Sequence, residues 1–220
     1  MTVTELATAQ LNPGVSPEDP GIFSALAKCK KVMEDFTGCP FHYLQQVGDS
    51  TIFYILGEWL SVENHYRSFI GTKTCNSLVS LLNPYMTVQS LYHIDVEKST
   101  LPLDAPIIVI GRPAVARDKI DQFKTHFTKV KPILDNYVTW KQKTAGGWRI
   151  EKREDGDGEF VLFSGWNSIE EHMGWPKSEA FEGYRPVMQY LNGVDVKHAK
   201  VLSLQEGCGA GNDRVAGWKG

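Results

Sequence analysis

The chain has 220 residues, enough for one large domain or two modules of about 100 residues each. Its 42% hydrophobic, 11% aromatic and 22% charged content is that of an ordinary soluble globule. A net charge of −3, with no basic cluster beyond Lys28 to Lys31, argues against a nucleic-acid surface, which needs a concentrated basic stripe. No segment is long and apolar enough to span a bilayer, and Met1 to Ala7 lacks the basic flank and apolar run of a signal peptide, so a cytoplasmic location is expected. Cys29, Cys39, Cys75 and Cys208 are scattered without a C-x-x-C or Cys/His spacing, which predicts reduced thiols and no metal site.

Residues 2–11 mix Thr with short apolar residues in rough alternation, a strand pattern. After breaks at Asn12-Pro13-Gly14 and Pro17 to Gly21, the residues Ile22, Leu26, Cys29, Met33 and Phe36 recur at three- and four-residue steps and predict an amphipathic helix ending at Gly38. Phe41 to Val47 and Thr51 to Trp59 read as a hairpin across Gly48-Asp49-Ser50. Ser61 is placed to cap a helix running to about Leu82, with Val62, His65, Tyr66 and Phe69 on one face, and Thr87 to Val96 returns as a strand. Beyond a Pro-rich linker at 101–106, Ile107 to Ile110 is a buried strand. Arg117 to Tyr137 is a helix with Ile120, Phe123, Phe127, Val130 and Leu134 on one face, with a kink possible at Pro132. Val138 to Lys152 and Glu159 to Trp166 form a second hairpin, whose acidic tip from Glu151 to Glu159 reads as solvated. Ser168 and Glu171 make an S-x-x-E capping box that opens a helix to about Leu191, interrupted near Pro176 and Pro186. Val194 to Leu204 closes the chain's second half, followed by a Gly-rich tail.

The two halves are copies. Trp59-Leu-Ser-Val-Glu-Asn-His65 returns as Trp166-Asn-Ser-Ile-Glu-Glu-His172, an offset of 107 (166 − 59), and the match extends upstream without a gap. Each copy reads strand, helix, strand, strand, helix, strand. The expected fold is therefore α+β, two tandem ferredoxin-like (βαββαβ) repeats over residues 1–100 and 105–206 with a tail at 207–220. Open sheet edges in such units are usually removed by pairing two sheets into an eight-stranded barrel, within one chain or across a dimer.

On the Trp59 and Trp166 signatures, with Ser178, Phe181 and Tyr184 continuing the second, the chain resembles the dimeric α+β barrel superfamily, and most of all its antibiotic-biosynthesis-monooxygenase branch. The resemblance implies a pocket between sheet and helices, a small aromatic or polyketide-like substrate of secondary metabolism, and oxygenation without a cofactor; a homodimer stays open. It equally admits a non-redox polyketide cyclase or decarboxylase, or a ligand-binding or stress-related barrel without catalysis. His172 and His65 lie in phase with Ile169 and Val62, so they are the candidate bases, each with a packed-core reading beside it. Trp166 and Trp59 are candidate pocket walls or packing plugs, and Tyr184, Tyr66, Tyr54 and Arg185 candidate substrate contacts. Haem-binding relatives place an axial His where this chain has Arg185, or Leu78 in the first copy, which argues against haem. His93 and His198 fall on closing strands with their direction undecided, while His42 and His126 are expected at the surface or an edge.

Overall fold

The computed structural model describes residues 2–204; the expected tail at 207–220 and Cys208 lie outside them. The first strand, β1, is Val3–Leu11. Helix α1, Pro20–Thr37, begins where Asp19 Oδ1 accepts the Gly21 N–H at 2.7 Å and ends at Gly38, whose φ of 73° supplies the left-handed cap. It buries Ile22, Ala25, Leu26, Cys29 and Met33, the stripe expected from spacing. The hairpin of β2 (His42–Gln46) and β3 (Ile52–Trp59) turns through Gly48 at φ 89°. The predicted single helix from Ser61 to Leu82 is two, α2 (Val62–Ser68) and α3 (Lys73–Leu82), because Gly71 takes a positive φ and Thr72 starts a new cap. Strand β4, Met86–Ile94, ends the first half.

The second half runs β5 (Ile107–Val115), α4 (Ile120–Tyr137), β6 (Ala145–Trp148), β7 (Gly158–Trp166), α5 (Ile169–Gly174), α6 (Glu179–Tyr184) and β8 (Leu191–Val201). Two expectations shrink here. Arg117 to Lys119 is a 3-10 turn ahead of α4, and only four residues of 138–152 form a strand. Residues just before β6 are engaged elsewhere: Trp140 Nε1 donates to Asp104 and the Thr144 N–H to Asp135. The second signature helix is broken as the prolines predict, with 3-10 turns at Trp175–Lys177 and Arg185–Tyr190.

All eight strands join one antiparallel sheet in the order β4-β1-β3-β2-β8-β5-β7-β6. The chain closes this sheet on itself: Ile94 bridges Arg149, the Asp95 N–H donates to Trp148 O, and the Ile150 N–H donates to His93 O at 2.8 Å. The opposite seam between the halves, β2 with β8, has the matching bond from the Val47 N–H to His198 O, also 2.8 Å. The interior of the barrel is packed with Leu6, Leu44, Leu56, Ile108, Ile110 and Phe163. Its outer face carries the helices, and the alternation of the strands decides which residues meet them. His42, expected at the surface or an edge, is half-buried in this closed sheet with its Nδ1 fully enclosed and unpartnered; burial and then Lys98 push its pKa down to about 4. Cys29 and Cys75 are buried and Cys39 half-buried, all as free thiols.

Candidate active site

Strand pairing places each residue of the first half against its counterpart. Glu5 lies opposite Gly57 and beside His93; Val109 lies opposite Ser164 and beside His198. Glu5 thus corresponds to Val109, and Gly57 to Ser164. In both halves a helix His meets a strand His. His65 Nδ1 is 2.8 Å from His93 Nε2, and His172 Nδ1 is 2.9 Å from His198 Nε2. The direction left open for His93 and His198 is therefore outward from the barrel, under the helices.

Around the first pair everything is filled. Trp59 stacks flat on His65, with ring centroids 3.8 Å apart and planes 8° from parallel, and Phe41 packs edge-on against Trp59. Trp59 Nε1 donates to Glu5 Oε2 at 2.5 Å. On the far side, Glu151 takes both the His93 N–H and, at 2.6 Å, the His93 Nδ1. Burial pushes Glu5 up to about 7, against the lowering effect of Trp59 and His93. Burial and the neighbouring His93 push His65 down to about 3. At neutral pH His65 is uncharged, so its 3.7 Å approach to Glu5 is a close contact between polar groups and not an ion pair. Burial would raise Glu151, but the hydrogen bonds from the His93 ring and backbone outweigh it and hold this carboxylate low. The acidic run is accordingly solvated only in its middle, where Glu154 and Asp155 are exposed: Glu151 joins the histidines, and buried Glu159 accepts from the Tyr92 hydroxyl at 2.9 Å and from Arg153 at 2.7 Å.

The second pair borders a cavity of about 220 Å³. Its walls are Trp166, Trp175, Phe123, Phe127, Phe160 and Phe181 with the aliphatic faces of β5 and β8, and its polar groups are His172, Ser164 and Tyr184. Three differences between the halves accompany it. Tyr43, which pairs with Ile55 and packs beneath α1, corresponds to Gly146, which pairs with Leu162 and over which the ring of Phe160, a wall of the cavity, lies instead. Ala7 corresponds to Gly111, where an added Cβ would meet nothing closer than 3.7 Å. Where the first half has the continuous α3, the second has the shorter α6 followed by the 3-10 turn at Arg185–Tyr190. Val194 and Val196 on β8, and Met188, line the cavity while remaining exposed, so it opens along β8.

Trp166 is fully buried and donates Nε1 to Ser164 Oγ at 2.8 Å; it meets His172 at 71° with centroids 5.0 Å apart, an edge contact in place of the flat stack of the first half. His172 Nε2 makes no hydrogen bond to any described residue. Burial, and secondarily His198, push His172 down to about 4, so it is neutral at physiological pH. Burial raises Tyr184 to about 12, which keeps its hydroxyl a donor.

Among the expected site residues, His172, Trp166 and Tyr184 share the cavity, and His65 and Trp59 share the packed counterpart. The other three do not line the cavity. Tyr54 faces the barrel interior and donates to Gln46 at 2.6 Å, since its parity on β3 is opposite to that of Trp59. Tyr66 is 45% exposed and flanks the packed pair, its ring centroid 5.8 Å from those of His65 and His93. Arg185 lies on the surface, paired with Glu182 at 2.6 Å. Glu5 and Ser164 went unnoticed in the sequence, Glu151 was expected in a solvated tip, and only the placement of Ser164 two residues before Trp166 could have pointed to it.

The residues present do not suit haem. The cavity is smaller than the ~300–1,000 Å³ common for drug-sized ligands, and among the described residues no Arg or Lys lines it to meet a propionate. Among the described residues no group of three or more His, Cys, Asp or Glu could hold a metal ion, and no helix is long and apolar enough to cross a membrane.

Two βαββαβ halves closed into one eight-stranded barrel, with helices packed outside it, define the dimeric α+β barrel fold, here completed within a single chain. Solved structures similar to the chain include an anthrone oxidase-like protein (TM-score 0.64, 13% identity, 92% of each chain covered). They also include a candidate monooxygenase from Lactobacillus acidophilus NCFM (TM-score 0.61, 11% identity, 91% of this chain and 94% of that one). A third is a mutant chlorite dismutase from Candidatus Nitrospira defluvii (TM-score 0.58, 11% identity, 92% of each). The likeness is one of fold and takes in both halves. No family model matches the chain, and no curated protein matches it.

Proposed function

We propose that this protein is a monooxygenase-type enzyme that oxidises a small aromatic, polyketide-like molecule in the cavity of its second half, with His172 as general base. The observation that carries the reading is that a neutral imidazole nitrogen without a hydrogen-bond partner among the described residues borders an aromatic-walled cavity that these residues otherwise furnish with the polar groups of Ser164 and Tyr184. Such a site favours a flat apolar substrate with one acidic O–H or C–H. His172 Nε2 removes that proton, and Tyr184 or Ser164 donates to the oxygen where negative charge gathers. The electron-rich anion then reduces dioxygen. For a substrate CH₂ the balance is CH₂ + O₂ → C=O + H₂O: one oxygen atom bonds carbon, and the other leaves as water with both hydrogens. The dry walls keep the anion from being reprotonated by bulk water. The anthrone oxidase-like and monooxygenase neighbours support this reading through their shared fold, and the tandem Trp-to-His signature supports it through residues.

The test is oxygen uptake with an anthrone or hydroquinone together with product mass. Uptake matched by a product that has gained one oxygen and lost two hydrogens is the expected result. Turnover that continues unchanged without oxygen, with loss of water or carbon dioxide, would replace this reading with a cyclase or decarboxylase using the same base. No turnover and no ligand in the cavity would leave a non-catalytic barrel.

A further inference from the structure

We infer that His198 is the positioning residue of the second-half site, holding His172 in the tautomer that can act as a base and passing its proton to solvent. The inference rests on the proposed role of His172. A neutral imidazole carries one proton, and the 2.9 Å contact between His172 Nδ1 and His198 Nε2 can be made in two ways. When His172 Nδ1–H donates, its Nε2 lone pair faces the cavity and can accept a proton from substrate. When His198 Nε2–H donates instead, the His172 proton sits on Nε2 and the base is blocked. What decides is the other nitrogen of the strand histidine.

The first half shows the same contact with that choice made. Glu151 Oε1, 2.6 Å from His93 Nδ1, accepts a proton there; His93 Nε2 is then the acceptor and His65 Nδ1–H the donor. In the second half the position matching Glu151 is Gly48, because Ile150 and Val47 make equivalent bonds to His93 O and His198 O. Without a side chain at Gly48, His198 Nδ1 has no protein partner among the described residues, and His198 is half-exposed. Water takes the place of the carboxylate as acceptor of Nδ1–H. The carboxylates, the filling Tyr43 and the flat Trp stack all differ between the halves, yet the two-histidine contact is kept at 2.8 and 2.9 Å.

A route for the proton follows. Substrate gives a proton to His172 Nε2, the His172 Nδ1 proton moves to His198 Nε2, and the His198 Nδ1 proton leaves to water. As the second oxygen departs, the reverse passage delivers a proton to it and restores both tautomers.

The experiment is nitrogen-15 NMR of the histidine rings in the substrate-free protein, combined with kinetics of His198→Phe and His198→Gln. The wild type should show His172 as the Nδ1–H tautomer. His198→Phe, which removes the acceptor, should shift it toward Nε2–H and lower kcat by about tenfold or more with KM within about twofold. His198→Gln, whose amide oxygen can still accept from His172 Nδ1–H but cannot relay, should keep the tautomer and give an intermediate kcat. An Nε2–H tautomer in the wild type, or a His198→Phe enzyme with unchanged tautomer, overturns the inference. If the tautomer responds as expected while no variant, nor the wild type, consumes oxygen with the probe, positioning by His198 stands and the oxygenase reading falls.

Discussion

The two halves of this barrel hold one histidine pair in opposite surroundings. In the first, two carboxylates, a stacked indole and Phe41 enclose the pair, and His65 is 1% exposed. In the second, valine and glycine stand where the carboxylates were, and a cavity of about 220 Å³ borders His172. The contact between the rings is equally short in both. A duplicated unit can thus turn one copy into a rigid partner and the other into a cavity by changing the layer above the sheet, while the strands and their register stay the same.

The sharpest way to break the comparison is to delete each helix histidine. His172→Ala should reduce oxygen uptake by roughly 10²–10⁴-fold, the range for loss of a general base, with little change in stability. His65→Ala should leave uptake within a few-fold but destabilise the fold by about 2–4 kcal/mol, because it strands His93 and leaves a void against Trp59. Oxygen uptake and chemical denaturation on the same preparations separate the effects, and equal losses of activity would abolish the proposed asymmetry.

Much of this layout was legible in the sequence because duplication doubled the signal. The Trp and His of each signature, the buried stripe of α4 and the Gly48 turn all follow from spacing alone. Tyr54 could have been excluded by parity, since Phe53, Gly57 and Trp59 take the helix-facing side of β3 and Tyr54 alternates with them. The partners that distinguish the halves were not legible. Glu151 reaches His93 from 58 residues away, and Glu5 reaches Trp59 from 54, both through strand pairings that no local pattern encodes. The cavity itself is an absence, bordered on β5 by Gly111, and a glycine in a strand does not announce whether it marks a bulge or an opening.

A second contrast lies in the pH dependence of stability. Glu5 has a folded pKa raised to about 7 from 4.5, so the folded state binds its proton more tightly than the unfolded chain. Its contribution is fully present below pH 4.5 and is lost as pH rises through 7. His65 and His172 shift the other way, to about 3 and about 4, so what they contribute is present above their unfolded value near 6.5 and is lost as pH falls through those folded values. Glu5→Gln removes only the first slope. Relative to wild type, this variant should gain on the order of 3 kcal/mol between pH 4.5 and 8, measured as the pH dependence of unfolding free energy. The corresponding Val109→Gln change, made where no carboxylate exists, should show no such pH-dependent gain; a matching slope there would mean that Glu5 is not its source.

The smallest expected effect tests whether the cavity is kept open for use. Gly111 lines it on β5, and a Cβ there would approach only Leu162, no closer than 3.7 Å. Its counterpart Ala7 is already buried to 1% exposure in the filled half. Gly111→Leu should therefore bury its side chain in the empty volume without displacing backbone. Each buried methylene contributes about 0.8 kcal/mol, offset by ordering the side chain, for a net gain near 1 kcal/mol. The same atoms occupy the space assigned to substrate, so ligand affinity should fall by about tenfold or more while His172 and His198 keep their contact and tautomers. A variant that gains stability and keeps full activity would show that the cavity is a packing defect, and that the open half differs from the closed one in density alone.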